Sequence, residues 1–391
     1  MLNQKSLHMS TVYLDYNAST PCDERVVQAM NPYWSQFGNP HSSHTFGYQK
    51  QKLIDECLEK LSIIYNCLPD DIVFTSGATE ANNLSIFSGI KLAKSKSPHK
   101  NVILTSHLEH KSVIEPLIQI ARQLHLSLIY INLTKDGLID CEDFQEKLEQ
   151  HQVLWASVCM TNGEIGTNQP IKELAAICHN HGVNIHVDAS QAGYCDLDYE
   201  ALGVDYLTIS GHKIYGPSGI GLMISKHLQD EFFEPMIYGG GQQYNKRSGT
   251  VSLPLIIGLT TAIEILNDEK DREKERLVEL RDYLYSQLKS HFQIEVHGSM
   301  QDRHPANLHL SMQGIDALTL LNNMQPHAAF SLGSACNGLN REYSGLMKGM
   351  SISRKQSESS FRMTVGRFTT KEEIDYVVNT LCSLNLNNHI F

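Results

Sequence analysis

The sequence predicts an α/β fold with a mainly parallel sheet and helices on both faces. Three observations carry that expectation. Apolar-rich runs of strand length at 72–74, 102–105, 128–131, 153–158, 183–188 and 204–209 alternate with helical segments. Several of these runs end in turns bearing His, Asn, Asp or Lys, and such sheets gather their sites at the carboxyl ends of strands. The chain has 391 residues, 41% hydrophobic and 19% charged, which is ordinary globular composition and long enough for two domains.

The first ten residues read as a polar extension, followed by a short strand from Val12 that leads through Tyr16-Asn17 to a turn or helix start at Thr20-Pro21. Phe37-Gly38-Asn39-Pro40 begins a loop that is either structural or part of a substrate site. Leu53, Cys57, Leu61 and Ile64 recur at helical spacing. The strand at 72–74 runs into Thr75-Ser76-Gly77-Ala78-Thr79-Glu80, and Leu84, Ile86, Phe87 and Ile90 continue as a helix. Strand, glycine turn and helix together aim free N–H groups at an anion. A capping box with Ser76 or Thr75 as cap and Glu80 in the first turn is compatible with that, and is the favoured reading of the segment alone.

Later strand ends carry His110, Asn162, Asp188 and Lys213, each of which, taken singly, has a structural reading as a loop, cap or surface residue. Asp188 ends an apolar strand, where a carboxylate needs a cation or several donors. Lys213 lies in Ser210-Gly211-His212-Lys213 with apolar segments on either side. An amine held in a core tends to lose its proton or to pair, and a neutral amine forms a Schiff base with an aldehyde. Residues 253–266 read as a buried helix and 267–281 as a charged, solvated helix face joining two domains; strands near 294–296 and 306–310 follow.

The charge of −11 offers no basic footprint for nucleic acid or anionic membrane. Nine cysteines without Cys-x-x-Cys spacing and no secretory signal point to reduced thiols in a cytoplasm. The 19 histidines form no recognisable metal motif, and the apolar stretch at 253–266 is too short for a membrane span.

Lys213, Asp188 and the Gly77-Ala78-Thr79 turn together match the needs of pyridoxal phosphate: a Schiff-base lysine, an acid at the ring nitrogen and a phosphate cradle. No Gly-x-Gly-x-x-Gly opens the first strand-helix unit, so a dinucleotide fits less well.

These residues stand in a series of motifs. Tyr13-Leu14-Asp15-Tyr16-Asn17-Ala18-Ser19-Thr20-Pro21, Gly38-Asn39-Pro40, Phe74-Thr75-Ser76-Gly77-Ala78-Thr79-Glu80, Glu109-His110-Lys111, His186-Val187-Asp188-Ala189, Ser210-Gly211-His212-Lys213, Arg247-Ser248-Gly249-Thr250, Gly333-Ser334-Ala335-Cys336 and Gly366-Arg367-Phe368 follow one another along nearly the whole chain. In this order they resemble the cysteine desulfurases of the NifS/IscS type, class V aminotransferases of pyridoxal phosphate fold type I. The resemblance implies a seven-stranded, mainly parallel sheet in a large domain (16–264) and a smaller α+β domain (1–15 with 265–391) carrying a mobile Cys336 loop.

It also implies roles. Lys213 would carry the cofactor and move protons at the substrate α-carbon; Asp188 would hold the pyridinium; His110 would stack on the ring and assist proton transfer. Ala78, Thr79, Ser210 and His212 would contact the phosphate, Gln191 the ring oxygen, and Thr250 the phosphate of the other subunit of a homodimer. Arg362, with Asn39 and Asn162, would bind L-cysteine, the arginine by its carboxylate. Cys336 would take the substrate sulfur as a persulfide, leaving alanine, and pass it to a protein sulfur acceptor for iron-sulfur cluster or other thio-compound synthesis.

The chain departs from the pattern at Gly163, where a second asparagine is usual. The contact that residue makes is then lost or supplied by Gln191 or water. Gln242-Gln243-Tyr244 and Leu332 with Asn337-Gly338 also differ from the usual residues. Two other readings stay open at this point: another class V enzyme, such as a selenocysteine lyase or an aminotransferase, and a catalytically weak sulfur-relay scaffold.

Overall fold

The computed structural model describes residues 11–332 and 343–384. Among them run strands β1 (Val12–Tyr13), β2 (Ile72–Thr75), β3 (Val102–Ser106), β4 (Ser127–Ile131), β5 (Val153–Cys159), β6 (Asn184–Asp188), β7 (Tyr206–Ser210), β8 (Gly221–Ile224), β9 (Ile294–Val296), β10 (Asn307–Met312), β11 (Ala328–Ala329), β12 (Ser331–Leu332) and β13 (Ser360–Thr364). Every residue of β2, β3, β5, β7 and β8 is buried, so both faces of the sheet need a cover of helices. Apolar residues on the two faces form separate clusters, one around Leu104, Val158 and Leu207, the other around Ile103, Trp155 and Tyr206.

The seven-stranded sheet has the order β2-β8-β7-β6-β5-β3-β4. From β4 to β7 all pairings are parallel, as the alternation of strands and helices requires. The four residues of β8, which the reading of the sequence did not pick out, pair antiparallel with both β7 and β2. That insertion places the start of helix Ala78–Lys96 beside the turn that carries Lys213. The approach is close: a Cβ on Gly221 would lie 2.9 Å from the Cα of Gly77.

Leu253–His291 is one helix of 39 residues, continuous through the stretch where the sequence suggested a change of domain. Leu253, Ile256, Leu259 and Ile263 pack in the first core, whereas Leu277, Leu280, Leu284 and Leu288 pack in another. The latter lies against the antiparallel sheet β12-β13-β10-β9 and includes Val12 and Leu14. Strand β1 joins this region through parallel pairing with β11, so the start of the described chain packs with its end. The charged part of the long helix is not simply a solvated face, since Glu273 and Arg281 are both buried.

Candidate active site

The parallel strands deliver polar residues to one edge. Asp188 ends β6, Ser210 ends β7, and Lys213 follows three residues later in a single helical turn. The Lys213 Nζ donates to the backbone carbonyl of Asn17, which also accepts from Gln191 Nε2. Asn17 Nδ2 in turn donates to the carbonyl of Gly163 at 3.1 Å, and Arg362 Nη1 reaches the same carbonyl at 2.7 Å. Amine, amide and guanidinium are thus linked through two backbone oxygens. Burial lowers the Lys213 amine to about 8, the Arg362 charge adding to the effect while Asp15 and Asp188 oppose it.

Arg362 is held by Asp15, whose Oδ1 accepts from Nη2 at 2.6 Å, and Ser331 Oγ donates to the other Asp15 oxygen at 2.8 Å. The Arg362 Nε is buried with no partner among the described residues. Asp188 accepts from Ser190 N at 3.0 Å and from Asn82 Nδ2 at 2.9 Å. His110 caps helix Lys111–Leu124, its Nδ1 accepting from Ser112 N at 3.1 Å. Burial lowers the basicity of this imidazole, Lys213 and Lys111 contributing and Asp188 opposing.

The turn at Gly77 differs from the favoured capping reading. Neither Ser76 nor Thr75 caps the helix: Gly77 occupies the cap position without a side-chain bond, and Thr75 Oγ1 donates to the Gly77 carbonyl at 2.9 Å. Glu80 is turned to other work, accepting from Ser76 N at 2.8 Å and from Arg247 Nε at 2.7 Å. Gly77 has φ +147°, which favours glycine, and a Cβ there would meet nothing within 4 Å. The helix thus begins at Ala78 with no side chain capping its first N–H groups.

Other predicted residues fall elsewhere. The polar atoms of Asn162 pin its own turn: Nδ2 donates to Leu108 O at 2.8 Å, while Oδ1 accepts from Glu164 N at 2.9 Å and Ile165 N at 2.8 Å. Asn39 is exposed and accepts from His41 N at 3.0 Å. Thr250 is exposed, on the loop tied to the Gly77 turn by Arg247. His212 faces Ser19, Nδ1 to Oγ 3.2 Å. Cys336 lies outside the described residues.

Asn17, Asp15, Asn82 and Ser112 are not among the site residues the sequence predicts. The first two sit in a motif it singled out. The signal for Asn82 is an amide among the buried positions of its helix, next to Ala81 and Leu84, where it must find partners.

These residues fit pyridoxal phosphate. An uncapped helix start with open space before it suits a phosphate, and Ser210 Oγ beside it is buried with no partner among the described residues. A carboxylate at the end of β6 and an amine of lowered basicity complete the set.

The chain also matches known proteins. A family model described as aminotransferase class-V matches residues 12–377. The chain belongs to the class-V aminotransferase family. Within it, the chain is similar to cysteine desulfurase IscS of Ehrlichia chaffeensis, with 39% identity over 380 residues, 95% of this chain and 90% of that protein. Among solved structures, a NifS-like protein superposes with TM-score 0.86 at 28% identity, covering 95% of this chain and 98% of its own. A structure titled SspA in complex with cysteine superposes with TM-score 0.79 at 27% identity, covering 92% and 100%. The α/β fold expected for this family is the fold observed. No described helix is long and apolar enough to cross a membrane.

Proposed function

We propose that the protein is a pyridoxal-phosphate-dependent cysteine desulfurase that converts L-cysteine to L-alanine and retains the sulfur on Cys336. The observation that carries this reading is the chain of contacts from Lys213 through Asn17 and Gly163 to Arg362, which puts a lowered amine within two carbonyls of a guanidinium. An amino acid needs both, one for its amine chemistry and one for its carboxylate. The names of the relatives, and the cysteine in one structural neighbour, support the substrate.

Ala78, Thr79, Ser210 and His212 would hold the phosphate, with Thr250 contributed from the other subunit of a homodimer. Asp188 would keep the ring nitrogen protonated, Gln191 would meet the ring oxygen and His110 would stack on the ring. When bound, pyridoxal phosphate supplies an aldehyde for the amine and an electron sink for the α-carbon. Lys213, with basicity lowered by burial, gives up its proton easily enough to serve as base at that carbon. Arg362 orients the substrate carboxylate through its unpartnered Nε and the remaining N–H groups. Cys336 thiolate then attacks the substrate sulfur: a sulfur–sulfur bond forms, the carbon–sulfur bond breaks, and the carbon fragment is protonated to alanine.

The persulfide passes to a protein acceptor thiol in iron-sulfur cluster or other thio-compound synthesis, in the cytoplasm. The change of core along the long helix supports a division into 16–264 and 1–15 with 265–391, the second domain carrying Cys336.

The test is alanine and sulfide formation from L-cysteine with a reductant, comparing the wild type, Lys213→Ala and Cys336→Ala. Both products from the wild type, neither from Lys213→Ala (a loss of at least about 10³-fold) and no sulfide release from Cys336→Ala are expected. A wild type that binds the cofactor and forms a keto acid, or nothing, sinks the proposal.

A further inference from the structure

Asn82 is fully buried, and its amide nitrogen donates to Asp188 Oδ2 at 2.9 Å and to Ser112 Oγ at 3.0 Å. A carboxylate offers acceptors only, so the amide must turn its nitrogen toward Asp188. The price is visible on the other side: Asn82 Oδ1 is buried with no partner among the described residues. Asp188, not the amide oxygen, sets this orientation.

The direction of donation then passes along the chain of contacts. Ser112 Oγ accepts from Asn82 and has one hydrogen left to give. His110 Nδ1 lies 2.8 Å from that oxygen. The same nitrogen accepts from the Ser112 backbone N–H, because His110 is the cap of its helix. Two donors converge on Nδ1, which must present its lone pair. The ring hydrogen of the neutral imidazole is therefore on Nε2, and a second proton could enter only at Nδ1, against both donors.

We infer that Asn82 and Ser112 are positioning residues that carry the orientation imposed by Asp188 to His110 and lock it as the neutral Nε2–H tautomer, a hydrogen-bond donor and not a base. The surroundings agree. Lys213 and Lys111 disfavour a second positive charge on the ring, and Asp188 alone of its charged neighbours favours one. The adjacent Glu109 is pushed up to about 8 by burial, so at neutral pH it adds little negative charge. The use of this tautomer in catalysis rests on the desulfurase reading; the tautomer itself does not.

The test is a two-bond proton–nitrogen NMR correlation on holoenzyme labelled with ¹⁵N-histidine, the His110 signals being identified by their loss in His110→Gln. In the wild type, His110 should show the Nε2–H pattern and no titration between about pH 6 and 8.5. Asn82→Ala frees the Ser112 hydroxyl to turn and accept, and Ser112→Ala removes one of the donors. In either, the His110 pKa should rise by about one unit, tenfold in protonation, and the pH profile of kcat/KM should gain an acidic limb. Ser112→Ala is the milder change and serves if Asn82→Ala does not fold. An Nδ1–H tautomer in the wild type, a wild-type His110 titrating near 6.5, or no change in the titration of the folded variants would overturn the inference. An inactive wild type with the Nε2–H pattern would remove the desulfurase reading and leave this one standing.

Discussion

The site at the strand ends and the junction around Arg367 are both rich in charge, yet they differ in how completely their polar groups are matched. At the junction every charge is matched. Arg367 donates to Glu273 Oε1 at 2.9 Å and Oε2 at 2.7 Å, and to Asp23 Oδ2 at 2.6 Å. Its guanidinium lies 4.1 Å from the centre of the Tyr215 ring, and Asp23 also binds Arg25, which reaches Glu269 at 2.8 Å. Arg25 above all holds the Asp23 carboxyl far below its usual range. At the site, Lys213 has no carboxylate within ion-pair distance among the described residues, and Ser210 Oγ has no partner among them. Charges that are fully matched make a rigid joint; polar groups left unmatched at a strand end are ready for a ligand.

The two regions are also joined. Tyr215, two residues beyond Lys213, adopts φ +61°, a strained value for a non-glycine residue. Its hydroxyl accepts from Arg367 N at 2.7 Å, and its own N–H donates to Thr20 Oγ1 at 2.7 Å. The junction thus holds the backbone just beyond the Lys213 turn.

If matching makes the junction rigid, Arg367→Ala should be the most damaging change to stability. It leaves the largely buried Glu273 without its arginine and Asp23 with Arg25 alone, and a loss of about 3–5 kcal/mol in urea unfolding is expected. A loss below about 1 kcal/mol would show that the pair is screened like a surface bridge, and the contrast between the regions would fail.

A smaller effect comes from His304, a buried ring set edge-on to Tyr194, whose Nδ1 accepts from Ala306 N at 3.2 Å. Burial, reinforced by Arg281 and Arg303, pulls its basicity down to about 3. The unfolded chain takes up this proton near pH 6.5, the folded chain only near 3, so this contribution to stability is intact above pH 6.5 and declines as pH falls toward 3. The slope is about 1.4 kcal/mol per pH unit once pH is well below 6.5. Urea midpoints at pH 7 and 5 should reveal it, and His304→Gln should flatten the difference; an equal slope in that variant would assign the acid sensitivity elsewhere.

The smallest effect is expected at the site itself. A Cβ on Gly163 would sit 3.4 Å from Gln191 Cγ and Nε2, an ordinary contact. Gly163→Asn should change stability by no more than about 0.5 kcal/mol and raise kcat/KM for L-cysteine a few-fold, about 1 kcal/mol or less of transition-state binding. A stability loss well beyond that would mean the glycine is required by packing and not merely tolerated.

Much of this was legible in the residues. The parallel strands appear where apolar runs of four to six residues predicted them; β3, β5 and β7 are buried throughout, and such runs tolerate few alternatives. Lys213 and Asp188 were readable as strand-end residues for the same reason. Asn162 was harder: an asparagine at a strand end has a ligand role and a turn-pinning role with the same local pattern, and here its oxygen and nitrogen are bound to backbone. Strand β8, which begins at a glycine shortly after the Lys213 turn, did not stand out as a separate run.

By itself, the sequence determined the class of fold, the strand ends that carry chemistry and the family, since these follow from local periodicity and from motifs that are contiguous in the chain. Only the tertiary structure decided which way the amide of Asn82 points, that Glu273 on a helix read as solvated is buried against Arg367, and that the Gly77 turn is uncapped and lies beside Ser210. The reason is physical. Each depends on a partner more than 90 positions away in the chain, and hydrogen bonds and ion pairs are settled by what folding brings within about 3 Å, not by what stands next in sequence.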